Sequence, residues 1–171
     1  MAMNYKQQSN QGCLIVDLLY LFGIEPAREK EEAILSDGLF SVRDNFTLGC
    51  LHAFLDRYPN KAMTLYVDNK FYLEDIKQLV RYPQIKLVHK KNDKKFMDSL
   101  DAPFIFCIDN HIIDGWTHLP HYMMVTGSTE KFYKVFDPWK GGVQKYSKDK
   151  LISSINSLRD RVGFCPIIIA A

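Results

Sequence analysis

The first third of this chain and the remainder carry different hydrophobic periodicities. Apolar residues between positions 13 and 59 recur at helical spacing, first in a run that stops at Gly23 and later in one that Asp44 or Asn45 would cap. From Thr64 onward, short apolar runs bounded by turn residues predict strands, with helices between some of them. Helices that come first, followed by an antiparallel-looking sheet, are typical of α+β rather than alternating α/β domains.

The predicted elements fill the chain without a linker or a repeat. We predict helices over 14–22, 26–35, 45–59, 71–80, 94–100 and 147–158, and strands over 64–67, 85–88, 103–108, 122–126, 131–136 and 164–169. A length of 171 residues suits one domain that can bury its own core. We therefore expect a single domain over residues 1–171, with a helical part at about 1–60 and a sheet-rich part at about 61–171.

Charge and cysteine content narrow the function classes. The 22 basic and 20 acidic residues leave a net charge of +2, and the basic stretch 86–95 is interpreted as a solvated turn, so no nucleic-acid partner is expected. The four cysteines lie far apart, which argues against a disulfide framework or a zinc ribbon. The polar start has no signal-peptide pattern, and the run 14–21 is too short to span a bilayer. We expect a cytoplasmic protein without a membrane partner.

Common cofactor motifs are absent from the sequence. It contains no phosphate-binding G-x-x-x-x-G-K-[ST] loop, no G-x-G-x-x-G, no G-x-S-x-G and no H-E-x-x-H. A segment with many metal-ligand types runs from position 107 to 121, but its Cys-x3-His-x6-His-x2-His spacing matches no compact zinc pattern. We therefore expect neither a metal nor another cofactor. The ligand types in that segment are Cys107, Asp109, His111, Asp114, His118 and His121.

Three residues in a set order suggest nucleophilic chemistry. Cys13 begins an apolar helix, where the macrodipole and the free N–H groups favour the nucleophilic thiolate. His121 enters one predicted strand and Asp137 leaves the next, so a hairpin would make them neighbours. A lone cysteine in an apolar helix is more often a buried small hydrophobe, but the order Cys, His, Asp favours a nucleophile.

The sequence around these residues resembles that of papain-like cysteine peptidases. The resemblance rests on Cys13 at a helix start, on His121-Tyr-Met-Met-Val-Thr-Gly and on Phe-Asp137-Pro-Trp, and it is greatest to the bacteriocin-leader (double-glycine) peptidases and their stand-alone relatives. It implies a papain-like fold, with the cysteine helix packed on a C-terminal antiparallel sheet. It further implies that Cys13 attacks, that His121 is general base and acid, and that Asp137 orients His121.

The resemblance also extends to an oxyanion hole. In that family a glutamine six residues before the cysteine helps to hold the oxyanion; here this position is Gln7, with Gln8 and Gln11 as nearby alternatives. His118, in a loop expected over the active site, and Trp139, after Asp137, are candidate substrate-binding residues.

The function expected from these residues is thiol-dependent acyl transfer. The first hypothesis is a cysteine peptidase or amidase that acts on a peptide or protein. An acyltransferase or a transglutaminase-like enzyme would use the same residue order. A non-catalytic papain-like binding module is a further alternative, which the bulky Leu14 and Ile15 after the cysteine favour.

Overall fold

The computed structural model of the protein describes residues 2–42 and 44–171, and within them it contains seven α-helices and seven strands. The helices are α1 Cys13–Leu21, α2 Arg28–Ser41, α3 Phe46–Arg57, α4 Lys70–Lys77, α5 Lys94–Asp98, α6 Asn110–Asp114 and α7 Lys148–Ser157, which continues into a π-helical turn, Leu158–Val162. The strands are β1 Met63–Val67, β2 Ile85–His89, β3 Phe104–Asp109, β4 Pro120–Ser128, β5 Phe132–Asp137, β6 Gly142–Ser147 and β7 Ile167–Ala170. Three helices precede the first strand, which confirms the predicted α+β order.

The seven strands form one sheet in the order β2-β1-β7-β3-β4-β5-β6. Every neighbouring pair is antiparallel except β1 and β2, which are parallel and are connected through α4. The C-terminal strand β7 lies between β1 and β3, so the end of the chain joins the two halves of the sheet.

The sheet is the middle layer between two groups of helices. Side chains alternate along each strand, so that Cys107 on one face of β3 belongs to the core around α1 and α3, whereas Phe106 on the other face packs with α7. Helix α1 is buried along its whole length, because its nearly continuous apolar sequence lies between α2, α3 and the strands β3 and β4.

The long helix α2 packs closely on α3 through two glycines. A Cβ atom on Gly49 would lie 2.1 Å from the carbonyl oxygen of Gly38, and one on Gly38 would lie 3.0 Å from the backbone of Cys50. A glycine in a helix interior costs up to about 1 kcal/mol, so here the close packing offsets the conformational penalty. Helix α2 therefore extends to Ser41, beyond the predicted range of 26–35.

Two elements, β6 and α6, were not predicted from the sequence. Strand β6 is the sheet edge beside β5 and has no buried residue, so it lacks a hydrophobic pattern. Helix α6 is a single short turn that Asp109 caps through the backbone N–H of His111. Within the described part of the chain, every helix is too short or too polar to cross a membrane.

Candidate active site

Cys13 is the first residue of α1 and follows the helix cap Gly12. Its side chain is nearly buried, with 8% of the residue exposed, and it forms part of the wall of a cleft. The backbone N–H groups of Leu14, at the start of the helix, and of Tyr122 on β4 lie near the thiol and lower its pKa. The cysteine is therefore held where the α1 N-terminus meets the sheet, at the positive end of the helix dipole.

The hairpin of β4 and β5 brings His121 and Asp137 together, as the sequence predicted. The strands pair antiparallel, with a register shift between Val125 and Gly127. His121 starts β4 and Asp137 ends β5; Nε2 of His121 lies 3.0 Å from Oδ1 of Asp137. The carboxylate is fully buried, and its Oδ1 also accepts the backbone N–H of Trp139 at 3.0 Å.

His121 lies between Cys13 and Asp137: it is hydrogen-bonded to the Asp137 carboxylate, and both neighbours raise its pKa. Because Nε2 faces Asp137, the other ring nitrogen, Nδ1, is the one left to face the thiol. Burial opposes the charged form of the imidazole, but the hydrogen bonds and charges of both partners outweigh it and raise the pKa of His121 to about 10.

The same contacts favour the thiolate form of Cys13. Burial raises the pKa of a thiol, but the hydrogen bond and the charge of His121, with the two backbone N–H groups, lower the pKa of Cys13 below its ordinary value. By contrast, burial raises the pKa of the Cys50 thiol to about 12. The arrangement therefore stabilises a thiolate–imidazolium pair at one cysteine.

Asp137 remains ionised although it is buried. Burial raises its pKa, but the hydrogen bond and charge of His121 outweigh that effect, and the charge of Lys140 adds to them, so the pKa lies below the ordinary value. Lys140 Nζ lies 3.5 Å from Asp137 Oδ2 and donates to Asp114 Oδ1 at 2.8 Å. The negative charge beside His121 is thus stabilised by Lys140 on its other side.

Gln7 lies beside the turn that follows Asp137. Its backbone N–H donates to the carbonyl of Pro138 at 2.9 Å, and its side-chain Nε2 donates to the carbonyl of Ser9 at 2.7 Å. The residue is buried, and its Oε1 has no hydrogen-bond partner among the described residues. Of the three glutamines considered from the sequence, Gln7 is buried and Gln8 is exposed, whereas the exposed Gln11 lines the cleft together with Cys13.

A cleft of about 1000 Å³ runs away from Cys13. Its walls carry several aromatic rings, contributed by α3, α4, β4 and the segment before β7. The aromatic residues are Phe46, Phe71, Tyr72, Tyr122 and Phe164. An extended ligand with apolar groups could therefore lie along the cleft with one end at the thiol.

The two candidate substrate-binding residues lie outside the walls of this cleft. His118 Nδ1 donates to Asp109 Oδ2 at 2.7 Å, and its ring packs against that of His111 at a centroid distance of 4.2 Å. The ring of Trp139 packs edge-on against Trp116 at 5.4 Å. A role in substrate binding stays a prediction for both.

The segment with many metal-ligand types is organised by protein hydrogen bonds. Asp109 Oδ2 accepts from Ser157 Oγ at 2.6 Å as well as facing His118, and Asp109 Oδ1 accepts the N–H of His111. Within residues 2–42 and 44–171, no three histidine, cysteine or carboxylate side chains converge as metal ligands would.

Leu14 and Ile15 point away from the cleft. Both are completely buried in the core that α1 shares with the sheet, and neither contributes to the cleft walls in the part of the chain that the structure describes. The bulky residues after the cysteine therefore do not narrow the cleft.

Two buried carboxyl groups beside the site were not recognised as functional from the sequence. Asp17 lies one helical turn after Cys13, is fully buried, and has no hydrogen-bond partner for either oxygen among the described residues. Burial first, and then the charge of Cys13, raise its pKa well above the ordinary value, which favours the protonated form. Glu31 on α2 holds the segment that contains Gln7. Asp17 could have been noticed in the sequence, because it is a charged residue inside an apolar helix. Glu31 gives no such signal, because it stands among other charged residues.

The comparisons with known proteins match this chain to solved structures, but to no family model and no curated protein. Among solved structures, the chain is similar to the peptidase domain of Streptococcus ComA, a bi-functional ABC transporter involved in a quorum-sensing pathway. The TM-score is 0.53 and the identity is 15%, over 97% of this chain and 96% of that domain. The chain therefore has the fold of a papain-like peptidase domain.

Proposed function

We propose that this protein is a thiol-dependent acyl-transfer enzyme, a cysteine peptidase or amidase with Cys13, His121 and Asp137 as its catalytic triad. The observation that carries the proposal is the position of His121, which is hydrogen-bonded to the buried Asp137 and lies beside the Cys13 thiol at one end of an open cleft. A structural cysteine gains nothing from such a partner, whereas a nucleophile needs its proton removed.

In the first half of the reaction, the Cys13 thiolate attacks the substrate carbonyl and a C–S bond forms. The carbonyl oxygen becomes an oxyanion, which the backbone N–H of Cys13 and the side chain of Gln7 hold. His121 then gives its proton to the leaving amine, the C–N bond breaks, and a thioester remains on Cys13. Asp137 keeps the imidazole oriented throughout.

In the second half, the neutral His121 removes a proton from water, and the resulting hydroxide attacks the thioester. The C–S bond breaks, the acid product leaves, and the thiolate–imidazolium pair is restored. An amine or alcohol in place of water would give an acyltransferase instead, with the same balance of protons.

The substrate class follows from the cleft and from the structural neighbour. The aromatic walls suit an extended chain with apolar side chains, and the similar domain of ComA is a peptidase. We therefore propose a peptide or protein as the acyl donor, with Trp139 and His118 as candidate contacts beyond the cleft walls.

Alkylation by iodoacetamide, followed by peptide mass spectrometry at each cysteine across pH, tests the thiolate–imidazolium pair. Cys13 should be alkylated at pH values well below the ordinary thiol pKa of about 8.5, and His121→Ala should abolish that reactivity. Cys165, which also lines the cleft but whose pKa is raised by burial, is the internal control for access. A Cys13 that reacts no faster than Cys165 at pH 6 would favour a non-catalytic binding module.

A further inference from the structure

The carboxylate of Glu31 holds the chain segment between Gln7 and Cys13. Its Oε1 accepts the backbone N–H of Ser9 at 2.9 Å, and both of its oxygens lie 3.0 Å from the N–H of Gln8. The hydroxyl of Tyr5 donates to Oε2 at 3.0 Å. Glu31 is completely buried, although its neighbours on α2 are largely exposed. A buried carboxylate is stable only where such donors replace water.

Gly12 leaves the space that this carboxylate occupies. A Cβ atom on Gly12 would lie 1.9 Å from Oε1 of Glu31, so the carboxylate would have to leave its present position. The backbone of Gly12 has φ −76° and ψ −7°, a conformation open to any residue. The glycine before the nucleophile is therefore required for contact with Glu31 and not for its backbone angles.

The held segment determines where the amide of Gln7 points. Nε2 of Gln7 donates one hydrogen to the carbonyl of Ser9, the residue whose N–H is bound by Glu31. An amide nitrogen carries two hydrogens, so the second remains to donate elsewhere. The backbone of Gln7 is meanwhile tied to Pro138, next to Asp137. Glu31 thus connects α2 to the oxyanion donor through two residues of chain.

We infer that Glu31 is a positioning residue of the oxyanion hole, which presents the Gln7 amide and the Cys13 N–H to the substrate carbonyl in a fixed geometry. The inference rests on the proposed acyl-transfer function. Glu31 touches neither the substrate nor the reacting atoms. It acts through the backbone of Gln8 and Ser9 and through its contact with Gly12.

Two reagents separate this role from a merely structural one. Acetylation of Cys13 by p-nitrophenyl acetate passes through an oxyanion, whereas alkylation by iodoacetamide displaces iodide at a saturated carbon and forms none. Both reactions need the thiolate. A defect in the oxyanion hole should therefore slow acetylation alone.

Glu31→Gln is the first variant, because the amide NH₂ replaces an acceptor oxygen and faces backbone donors. We expect acetylation of Cys13 to slow about 10- to 100-fold, below the 10²–10³-fold seen when an oxyanion donor is deleted outright, with the alkylation rate at pH 6 unchanged. Gly12→Ala displaces the Glu31 carboxylate without removing its charge, and should have the same effect on the two rates. If Glu31→Gln fails to fold, Gly12→Ala tests the inference by itself.

Glu32→Gln is the matched control, since Glu32 is the next residue on α2 and pairs with Arg28 at the surface. It should leave both rates unchanged. Gln7→Ala should slow acetylation of Cys13. Adding Glu31→Gln to that variant should slow acetylation little further, because both substitutions act on the same hydrogen-bond donor, the Gln7 amide.

The inference is overturned if Glu31→Gln or Gly12→Ala, once folded, acetylates at the wild-type rate. It is also overturned if alkylation falls in parallel with acetylation, which would indicate general damage to the site around Cys13. A wild-type protein that is alkylated at low pH but never acetylated at Cys13 would instead remove the proposed function, and the inference with it.

Discussion

The Nε2 atom of His121 and the Oδ1 atom of Asp137 lie 3.0 Å apart, although 16 positions separate the residues in the chain. Their approach follows from the hairpin of β4 and β5, in which one strand begins where the other ends. Because the carboxylate is fully buried, solvent does not weaken its effect on the imidazole. The protonation state and the orientation of His121 therefore depend directly on Asp137.

Asp137→Asn should reduce kcat by about 10²-fold or more, since a neutral amide neither stabilises the imidazolium nor fixes its tautomer. The alkaline limb of the pH–rate profile, set by a His121 pKa of about 10, should move to lower pH. Steady-state kinetics across pH measures both effects. Asp114→Asn is the control, because Asp114 binds the same Lys140 without touching His121; equal losses in the two variants would contradict the assignment.

Cys13→Ala should abolish acyl-enzyme formation and turnover while the domain stays folded. The thiol belongs to the core of α1, but removing one buried sulfur should lower the free energy of unfolding by only about 1 kcal/mol. Intact-protein mass spectrometry with an acyl donor, together with urea unfolding, measures the two quantities. Cys50→Ala, at a buried cysteine whose pKa is about 12, should retain turnover; turnover in the Cys13 variant would remove the nucleophile from the mechanism.

Asp17→Asn should make the protein more stable at neutral pH and less sensitive to pH. The native pKa of Asp17 is raised by burial, whereas the unfolded chain has an ordinary pKa near 3.9. Between those two values the native state binds one more proton than the unfolded state, so the free energy of unfolding falls by about 1.4 kcal/mol per pH unit as pH rises. The asparagine variant lacks this contribution.

Urea unfolding from pH 4 to pH 8 measures that difference directly. The gain in stability from Asp17→Asn should be smallest at pH 4 and should grow with pH until the native pKa is passed. Asp75→Asn, at an exposed carboxyl on α4, should change stability little at any pH. Parallel curves for wild type and Asp17→Asn would mean that Asp17 is not a buried neutral acid.

Phe71→Ala should weaken substrate binding without affecting the chemical step. The ring stands at the cleft wall and is 83% exposed, so its removal should cost no stability. Burial of the Phe71 ring under the substrate would contribute about 1 kcal/mol to the free energy of binding. In the Phe71→Ala variant, KM should therefore rise about fivefold with kcat unchanged. Steady-state kinetics on a peptide substrate, measured for Phe71→Ala and Trp139→Ala in parallel, locates the bound substrate. A rise in KM in the Trp139 variant alone would place the substrate over the turn after Asp137.

Strong local patterns made most of the fold predictable from sequence. The buried run of α1, the cap Asn45 of α3 and the apolar strand β3 each carry a signal in a few neighbouring residues. The edge strand β6 and the short helix α6 were missed because they bury little, and a periodicity arises only where one face is hidden from water. The candidate nucleophile was visible as a cysteine at the start of an apolar helix, and the candidate base and orienting acid were visible at the adjoining ends of two predicted strands.

The contribution of Glu31 and the state of Asp17 could not be obtained from local sequence. Glu31 stands in a charged helix whose other acidic residues face solvent, and it becomes significant only because Gly12 and the N-terminal segment fold against it. Periodicity depends on neighbours in the chain, so it predicted most of the helices and strands, and the order Cys13, His121, Asp137 is read directly from the sequence. Burial, pKa and hydrogen-bond partners depend on residues distant in the chain, and so they were settled by the way α1, α2 and the sheet pack together.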